Sequence, residues 1–121
     1  MGWISWTAVG VALACGLANG EVCAHGIKQI SGVAAFYSKD YQGATASGQR
    51  YDPNKFTCAH RTLPFGTHIR VTDAATHRSV VVTVNDRGPF TKGRMIDLSL
   101  AAAKVLHMTD RGLIRVTAVV Q

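Results

Sequence analysis

Apolar and polar residues alternate in several short stretches of the chain, a pattern typical of β-strands with one buried face. The clearest stretch covers residues 79–84, where β-branched valine and threonine dominate. Similar patterns cover residues 32–38, 68–72, 94–98 and 113–120, and turn-forming Gly, Pro, Asn or Asp residues lie between them. In total the pattern predicts about six short strands.

A single helix is predicted from Leu100 to His107, because an alanine-rich run follows Ser99, a residue type that caps helix N-termini. Strands and helices do not alternate along the chain, so a helix-covered parallel sheet is not expected. A small closed β-barrel fits the pattern better, since closure removes exposed strand edges. Its expected core consists of Val33, Phe36, Ile69, Val71, Val80, Val82, Val84, Ile96, Leu98, Ile114, Val116 and Val119.

The valine-rich stretch ends in the sequence Asn85-Asp86-Arg87-Gly88-Pro89. Proline has no N–H for a strand ladder and glycine permits unusual backbone angles, so the strand is expected to end here. A carboxylate and a guanidinium are thereby held at the mouth of a rigid strand, which suits a group that must be positioned for chemistry. The alternative is that Asp86 only satisfies turn amides and pairs with Arg87.

Length and charge limit the classes of function. A chain of 121 residues forms one domain at most, and its net charge of +6 favours an anionic partner such as nucleic acid, anionic lipid or an acidic cell wall. The chain has no nucleic-acid-binding motif and few aromatic residues to stack on bases, so nucleic acid is not expected.

The first twenty residues resemble an export signal. Residues 1–20 contain no Lys, Arg, Asp or Glu, and an apolar run is followed by small residues at Ala18-Asn19-Gly20. We therefore expect a signal peptide at 1–20, a lead-in at 21–31 and the barrel at 32–121. A second possibility is a lipoprotein signal ending before Cys15, which would then be acylated and would attach the protein to a membrane.

The remaining cysteines agree with export. Cys23 and Cys58 are candidates for a disulfide in an oxidising compartment. No Cys-x-x-Cys or His-x-x-x-His spacing is present, so no zinc site is expected, and nothing else in the sequence indicates a metal or cofactor.

Three motifs together resemble one family. They are TASGQRYD at residues 45–52, AHRTLPFGT at 59–67, and VNDRGPF at 84–90 followed by RMIDLS at 94–99. In order and spacing they are similar to the rare lipoprotein A (RlpA-like) family. The resemblance implies a six-stranded double-psi β-barrel, shared with expansins and some lytic transglycosylases. It also implies an envelope enzyme that cleaves peptidoglycan strands lacking stem peptides.

The resemblance assigns roles to several residues. Asp86 would be the single acid/base of a lytic transglycosylase, protonating the leaving oxygen and then helping the muramoyl C6 hydroxyl attack C1. His60 would orient the sugar or tune Asp86. Glycan contacts are expected from Gln49, Arg61, Arg87, Thr45 and Tyr51. Asp97, between Ile96 and Leu98, is interpreted as a barrel residue that pairs with Arg94.

Gln49 departs from the family pattern, since relatives typically carry Glu at this position. Glutamine can hydrogen-bond a sugar but cannot exchange a proton at neutral pH. Three functions therefore remain open: a monomeric periplasmic transglycosylase, a non-catalytic expansin-like module that binds peptidoglycan, and a secreted effector or inhibitor that binds another protein.

Overall fold

The computed structural model describes residues 29–121, and they form six strands and one short helix. The elements are β1 (Gln29–Phe36), β2 (Thr57–His60), β3 (His68–Asp73), β4 (Ser79–Asp86), β5 (Arg94–Leu98), α1 (Leu100–Val105) and β6 (Ile114–Val120). The predicted signal segment, Cys15 and Cys23 lie outside the described residues. Within the described part of the chain, no helix is long and apolar enough to cross a membrane.

The six strands close into a barrel in the order β1-β5-β2-β4-β3-β6. The pairs β1–β5 and β2–β4 are parallel, whereas the other four neighbouring pairs are antiparallel. This architecture confirms the predicted six-stranded closed barrel. Every strand has a hydrogen-bonded neighbour on both sides, so the barrel leaves no strand edge unpaired.

Strand β2 was not predicted, although it lies between β5 and β4 near the centre of the barrel sheet. It has only four residues, Thr57 to His60, and its alanine and histidine have little intrinsic preference for strands. Strand β1 also begins earlier than predicted, at Gln29, because residues 29–34 pair with β6. The predicted lead-in therefore contributes its last three residues to the barrel.

The barrel core contains most of the valines, leucines and isoleucines that were expected there. Val33 and Val119 are exceptions, because both are only half-buried while the adjacent Ala34 and Ala118 are fully buried. Ala34 pairs with Ile96 and Ile114, which are themselves core residues. At this point of β1 the small Ala34 faces the core and the larger Val33 does not. Hydrophobicity alone favoured Val33 as the core residue.

Helix α1 closes one side of the barrel and begins as predicted. The Ser99 side chain accepts a hydrogen bond from the Ala102 N–H at 3.3 Å, so Ser99 is the N-cap. The same oxygen accepts a hydrogen bond from Thr57 at 3.3 Å, which ties the helix to the start of β2. The helix ends at Val105, two residues earlier than predicted. His107, which follows the helix, adopts a positive φ of 54°.

Candidate active site

Two carboxyl groups lie on one face of the barrel, separated by a small residue. Ala59 in β2 pairs with Asp97 of β5 on one side and with Asp86 of β4 on the other. A register shift between Cys58 and Ala59 in the β2–β4 pairing brings Asp86 into this position. Paired residues on neighbouring strands point to the same face, and two strand spacings separate the Asp86 and Asp97 Cα atoms by about 10 Å.

Asp86 is held by three hydrogen-bond donors. Its Oδ1 accepts from the backbone N–H groups of Ala46 and Arg87, both at 2.8 Å, and its Oδ2 accepts from the Tyr37 hydroxyl at 2.5 Å. Donors on both oxygens fix the orientation of the carboxylate, because each oxygen accepts at least one hydrogen bond. The contact with Ala46 also attaches the long loop between β1 and β2 to the end of β4.

Asp97 has the opposite environment. Its Oδ1 is buried and has no hydrogen-bond partner within residues 29–121, and its nearest cationic atom is Arg94 Nη2 at 3.8 Å. Burial raises the pKa of Asp97 above its usual value, Arg94 lowers it in part, and the negative charge of Asp86 raises it further. The predicted pairing of Asp97 with Arg94 is therefore present but long, and this carboxyl is the better placed of the two to hold a proton.

The His60 ring is fixed by a backbone turn that follows β2. Its Nδ1 accepts hydrogen bonds from the N–H groups of Thr62 at 3.2 Å and Leu63 at 3.1 Å. Two donors on Nδ1 favour the tautomer with the proton on Nε2. His60 follows Ala59 directly and pairs with Ile96, the residue before Asp97, and its role toward a sugar stays a prediction.

Arg61 and Arg87 hold the loops that border the site. Arg87 Nη1 donates to the carbonyl oxygens of His60 at 3.1 Å and Leu63 at 2.7 Å, and its guanidinium lies 4.1 Å from the centre of the Phe65 ring. Arg61 Nη1 donates to the carbonyl oxygens of Pro89 and Arg94. Among the described residues, neither arginine forms an ion pair with Asp86 or Asp97. Their contacts indicate that they position the loops, and direct glycan contacts stay a prediction.

Thr45 and Gln49 lie in the loop opposite the end of β4. Thr45 is buried, and its hydroxyl donates to the Gln49 carbonyl oxygen at 2.8 Å within a tight turn. The Gln49 side chain is exposed, and its Oε1 accepts a long hydrogen bond of 3.4 Å from Asn85. Gln49 and Asn85 line two adjoining clefts of about 770 Å³ and about 370 Å³. Gln49 thus faces open space where a ligand fits, whereas the Thr45 hydroxyl is already occupied.

These clefts do not include the carboxyl pair in their lining. Asp86 and Asp97 remain the candidates for proton transfer, because two carboxyl groups in contrasting environments can take the separate roles of acid and base. Asn85 lines both clefts and directly precedes Asp86 in β4, which places the end of this strand beside the clefts.

Tyr51 is buried rather than presented to a ligand. Its hydroxyl accepts a hydrogen bond from the Leu100 N–H at 3.1 Å, and burial raises its pKa. Its ring stacks on Tyr37 with 4.4 Å between ring centres and lies 5.4 Å from the ring of Tyr41. This position favours a packing role for Tyr51 over the predicted sugar contact.

Cys58 is a buried free thiol in the barrel core. Burial raises the pKa of this thiol to about 12, so it is a poor nucleophile and a poor metal ligand at neutral pH. Its predicted disulfide partner, Cys23, lies outside the described residues, and the pairing stays a prediction. Within residues 29–121, no group of three or more His, Cys, Asp or Glu side chains is arranged to hold a metal ion.

Two residues of this site, Tyr37 and Asp97, were not assigned a role in proton transfer from the sequence. Tyr37 follows the last residue of β1 and reaches Asp86 only because β1 and β4 lie in the same barrel wall. The sequence marks Asp97 only as a polar residue between two apolar residues of a strand. This alternation indicates that its side chain points outward, but it does not reveal which side chains lie beside it.

Comparison with known proteins establishes the family. The model of a lytic transglycolase family with a double-psi barrel matches residues 29–118, which is most of the chain. The chain belongs to this RlpA-like family.

The "Probable endolytic peptidoglycan transglycosylase RlpA" of a Nostoc strain is 54% identical over 85 residues, covering 68% of this chain and 23% of the relative. The "Endolytic peptidoglycan transglycosylase RlpA" of Pasteurella multocida is 49% identical over 83 residues, covering 68% and 28%. The chain therefore spans about a quarter of the length of these RlpA relatives.

Solved structures share the barrel of this RlpA-like chain. A Streptomyces papain inhibitor matches with a TM-score of 0.63 and 26% identity, covering 78% of this chain and 96% of the inhibitor. An expansin of Clavibacter michiganensis matches with a TM-score of 0.61 and 23% identity, covering 78% of this chain and 50% of the expansin. These likenesses agree with the double-psi barrel that the motifs predicted.

Proposed function

We propose that this RlpA-like barrel is an exported lytic transglycosylase that cleaves peptidoglycan glycan strands, including strands without stem peptides. The single observation that carries the proposal is the carboxyl pair: Asp86 and Asp97 flank Ala59 on one face, in contrasting environments. The names of the relatives support peptidoglycan as the substrate, and the net charge of +6 suits an anionic wall.

The pair divides the proton transfers between two residues. Asp97, whose pKa is raised, donates its proton to the glycosidic oxygen as the bond between that oxygen and muramoyl C1 breaks. The muramoyl C6 hydroxyl oxygen then bonds to C1 and closes the 1,6-anhydro ring. Asp86, held as the acceptor, takes the proton released from that hydroxyl. The two transfers balance, and no water is consumed.

This mechanism explains how the chain can act with Gln49 in place of a glutamate. The second carboxyl group comes from Asp97 on β5, so the loop residue need not exchange a proton. Gln49, exposed at the adjoining cleft, remains available to hydrogen-bond a sugar. A single-residue route, in which Asp86 first gives and then takes the proton, is the alternative within the same site.

Product analysis of the wild type and three variants tests the proposal. The purified chain is incubated with peptide-free glycan strands, and mass spectrometry identifies fragments with 1,6-anhydromuramoyl ends. We expect such fragments from the wild type, at least about 100-fold less from Asp86→Asn and Asp97→Asn, and wild-type amounts from Asp40→Asn, which changes an exposed loop carboxylate. Full activity in Asp97→Asn together with loss in Asp86→Asn would favour the single-residue route.

A non-catalytic wall-binding module is the second candidate, and Gln49 is the observation that favours it. In that case the wild type binds intact sacculi but releases no fragments, while Gln49→Glu gains activity. Failure to bind sacculi at all, with wild-type folding, would instead favour a secreted protein that binds another protein.

A further inference from the structure

Tyr37 occupies a position between the two carboxyl groups that none of the predicted roles explains. Its hydroxyl donates to Asp86 Oδ2 at 2.5 Å, the shortest of the three contacts that Asp86 accepts. Its backbone N–H donates to the Leu98 carbonyl oxygen at 3.0 Å, so its backbone lies beside the residue that follows Asp97. Tyr37 therefore connects the strand that carries Asp97 to the carboxylate of Asp86.

The aromatic ring that carries this hydroxyl is fixed on two sides. It stacks on Tyr51 with 4.4 Å between ring centres and 17° between ring planes, and it lies 5.2 Å from the ring of Tyr41. Tyr51 is itself only 5% exposed and accepts the hydrogen bond from Leu100 at the start of α1. The hydroxyl is thus supported by a chain of contacts that reaches the helix.

The charged groups around Tyr37 keep it protonated. Burial raises its pKa well above the usual range, and the hydrogen bond to Asp86 and the negative charges of Asp86 and Asp97 raise it further. The charges that act on the hydroxyl are those of the two carboxyl groups, and Tyr41, whose ring packs against Tyr37, raises the pKa in the same direction. Across the working pH range, Tyr37 is therefore a hydrogen-bond donor.

We propose that Tyr37 is the positioning residue of this site: its hydroxyl fixes the orientation of the Asp86 carboxylate, so that this carboxylate can accept the proton of the muramoyl C6 hydroxyl. The proposal rests on the transglycosylase function above and adds a residue to it. Tyr37 acts through Asp86 and contacts no reacting atom in this scheme, so it affects the rate of the reaction more than the affinity for glycan.

Steady-state kinetics of Tyr37→Phe tests the role. We expect kcat to fall about 10- to 100-fold, since one hydrogen bond to a charged group is lost, while KM stays within about 2-fold. Tyr41→Phe is the matched control: its hydroxyl makes only a 3.4 Å contact with the Ala44 carbonyl oxygen, and we expect wild-type kinetics.

A second variant keeps the test decisive if Tyr37→Phe folds poorly. Incorporation of 3-fluorotyrosine at position 37 makes the hydroxyl a stronger donor and keeps the ring in place, so we expect kcat to change while KM stays within about 2-fold. Wild-type kcat in both variants would overturn the proposal while leaving the transglycosylase activity in place.

Proton NMR separates the contact from the activity. The Tyr37 hydroxyl proton is expected as a downfield resonance that disappears in Tyr37→Phe and in Asp86→Asn but persists in Tyr41→Phe. Absence of this resonance in a wild type that cleaves glycan overturns the proposal for Tyr37 alone. A wild type that cleaves no glycan overturns the proposed function, and with it the catalytic role of Tyr37, whichever resonances are present.

Discussion

At the scale of single residues, Asp86 and Asp97 show how the same side chain takes two roles through its surroundings. Asp86 accepts three hydrogen bonds at the end of β4, whereas the buried Oδ1 of Asp97 accepts none from residues 29–121. Burial raises the pKa of Asp97, and the negative charge of Asp86 raises it further, while the small Ala59 lies between the two residues in the sheet.

The environment of Asp97 predicts a pH dependence of glycan cleavage. A general acid must be protonated, so we expect the rate to fall as pH rises through the raised pKa of Asp97. A pH–rate profile of the wild type measures this fall. A rate that keeps rising at alkaline pH would contradict the role of Asp97 as the acid.

Asp97 should also lower the stability of the folded protein at neutral pH. A carboxyl group whose pKa is raised on folding stabilises the fold below its unfolded pKa of about 3.9, and this contribution is lost as pH rises through the folded pKa. Asp97→Asn is therefore expected to be as stable as the wild type at pH of about 3 and more stable at pH of about 7. Urea denaturation at both pH values measures the difference, with the exposed Asp40→Asn as the control. A less stable Asp97→Asn at neutral pH would show that the ion pair with Arg94 dominates.

At the scale of elements, the end of β3 is joined to the turn before β6 by a buried charge. Asp73 is 1% exposed; its Oδ2 accepts a hydrogen bond from Arg111 Nη2 at 2.5 Å and its Oδ1 accepts one from the Ala75 N–H at 2.9 Å. Arg111 also donates to the Leu106 carbonyl oxygen at 3.0 Å. Arg111, in the turn before β6, is therefore bonded both to the end of β3 and to the residue that follows α1.

Removal of the Asp73 charge is expected to destabilise the barrel. Burial raises the pKa of Asp73, but hydrogen bonds from Arg111 and Ala75 lower it by more, so its ionised form stabilises the fold above the unfolded pKa. We expect Asp73→Asn to lower the free energy of unfolding by about 2 kcal/mol at neutral pH, and the difference from the wild type to shrink as pH falls through the lowered pKa of Asp73. Chemical denaturation measures this, and the exposed Asp110→Asn should have almost no effect. Equal losses in both variants would mean that general charge, rather than this contact, sets the stability.

The sequence predicted those elements whose signal is local. Strand β4 and the N-cap Ser99 were evident from β-branched residues and capping chemistry. Strand β2 was missed because it is stabilised by its two neighbours, and Val33 was placed in the core because hydrophobicity does not reveal which face of β1 turns inward. The contact between Tyr37 and Asp86 joins residues 49 positions apart, and only the strand order of the closed barrel brings them together.

At the scale of the whole molecule, the protein is a small closed barrel with a net positive charge. The chain carries 13 Lys and Arg against 7 Asp and Glu, and three of the acidic residues, Asp73, Asp86 and Asp97, are engaged within the barrel or the site. The exposed surface is therefore more basic than the site itself, and long-range attraction should bring an anionic glycan toward the groove.

Binding to peptidoglycan should accordingly weaken with salt. We expect the amount of protein that sediments with sacculi to fall several-fold between about 50 mM and about 500 mM NaCl, because salt screens the attraction between exposed charges. Sedimentation of the Asp86→Asn variant, which lacks the catalytic carboxylate, measures binding without turnover. Binding that does not change over this range would indicate that sugar contacts in the groove, rather than net charge, hold the protein on the wall.

The pairing of β1 with β6 has a practical consequence. Gln29 lies opposite Val119, so the chain enters and leaves the barrel at neighbouring positions. Tyr37 lies eight residues farther along the chain, directly after the last residue of β1 and roughly 25 Å away. A bead, a dye or a solid support linked through either point would therefore sit at the end of the barrel remote from the carboxyl groups. The protein can thus be immobilised or labelled for single-molecule work on intact sacculi with its groove left open.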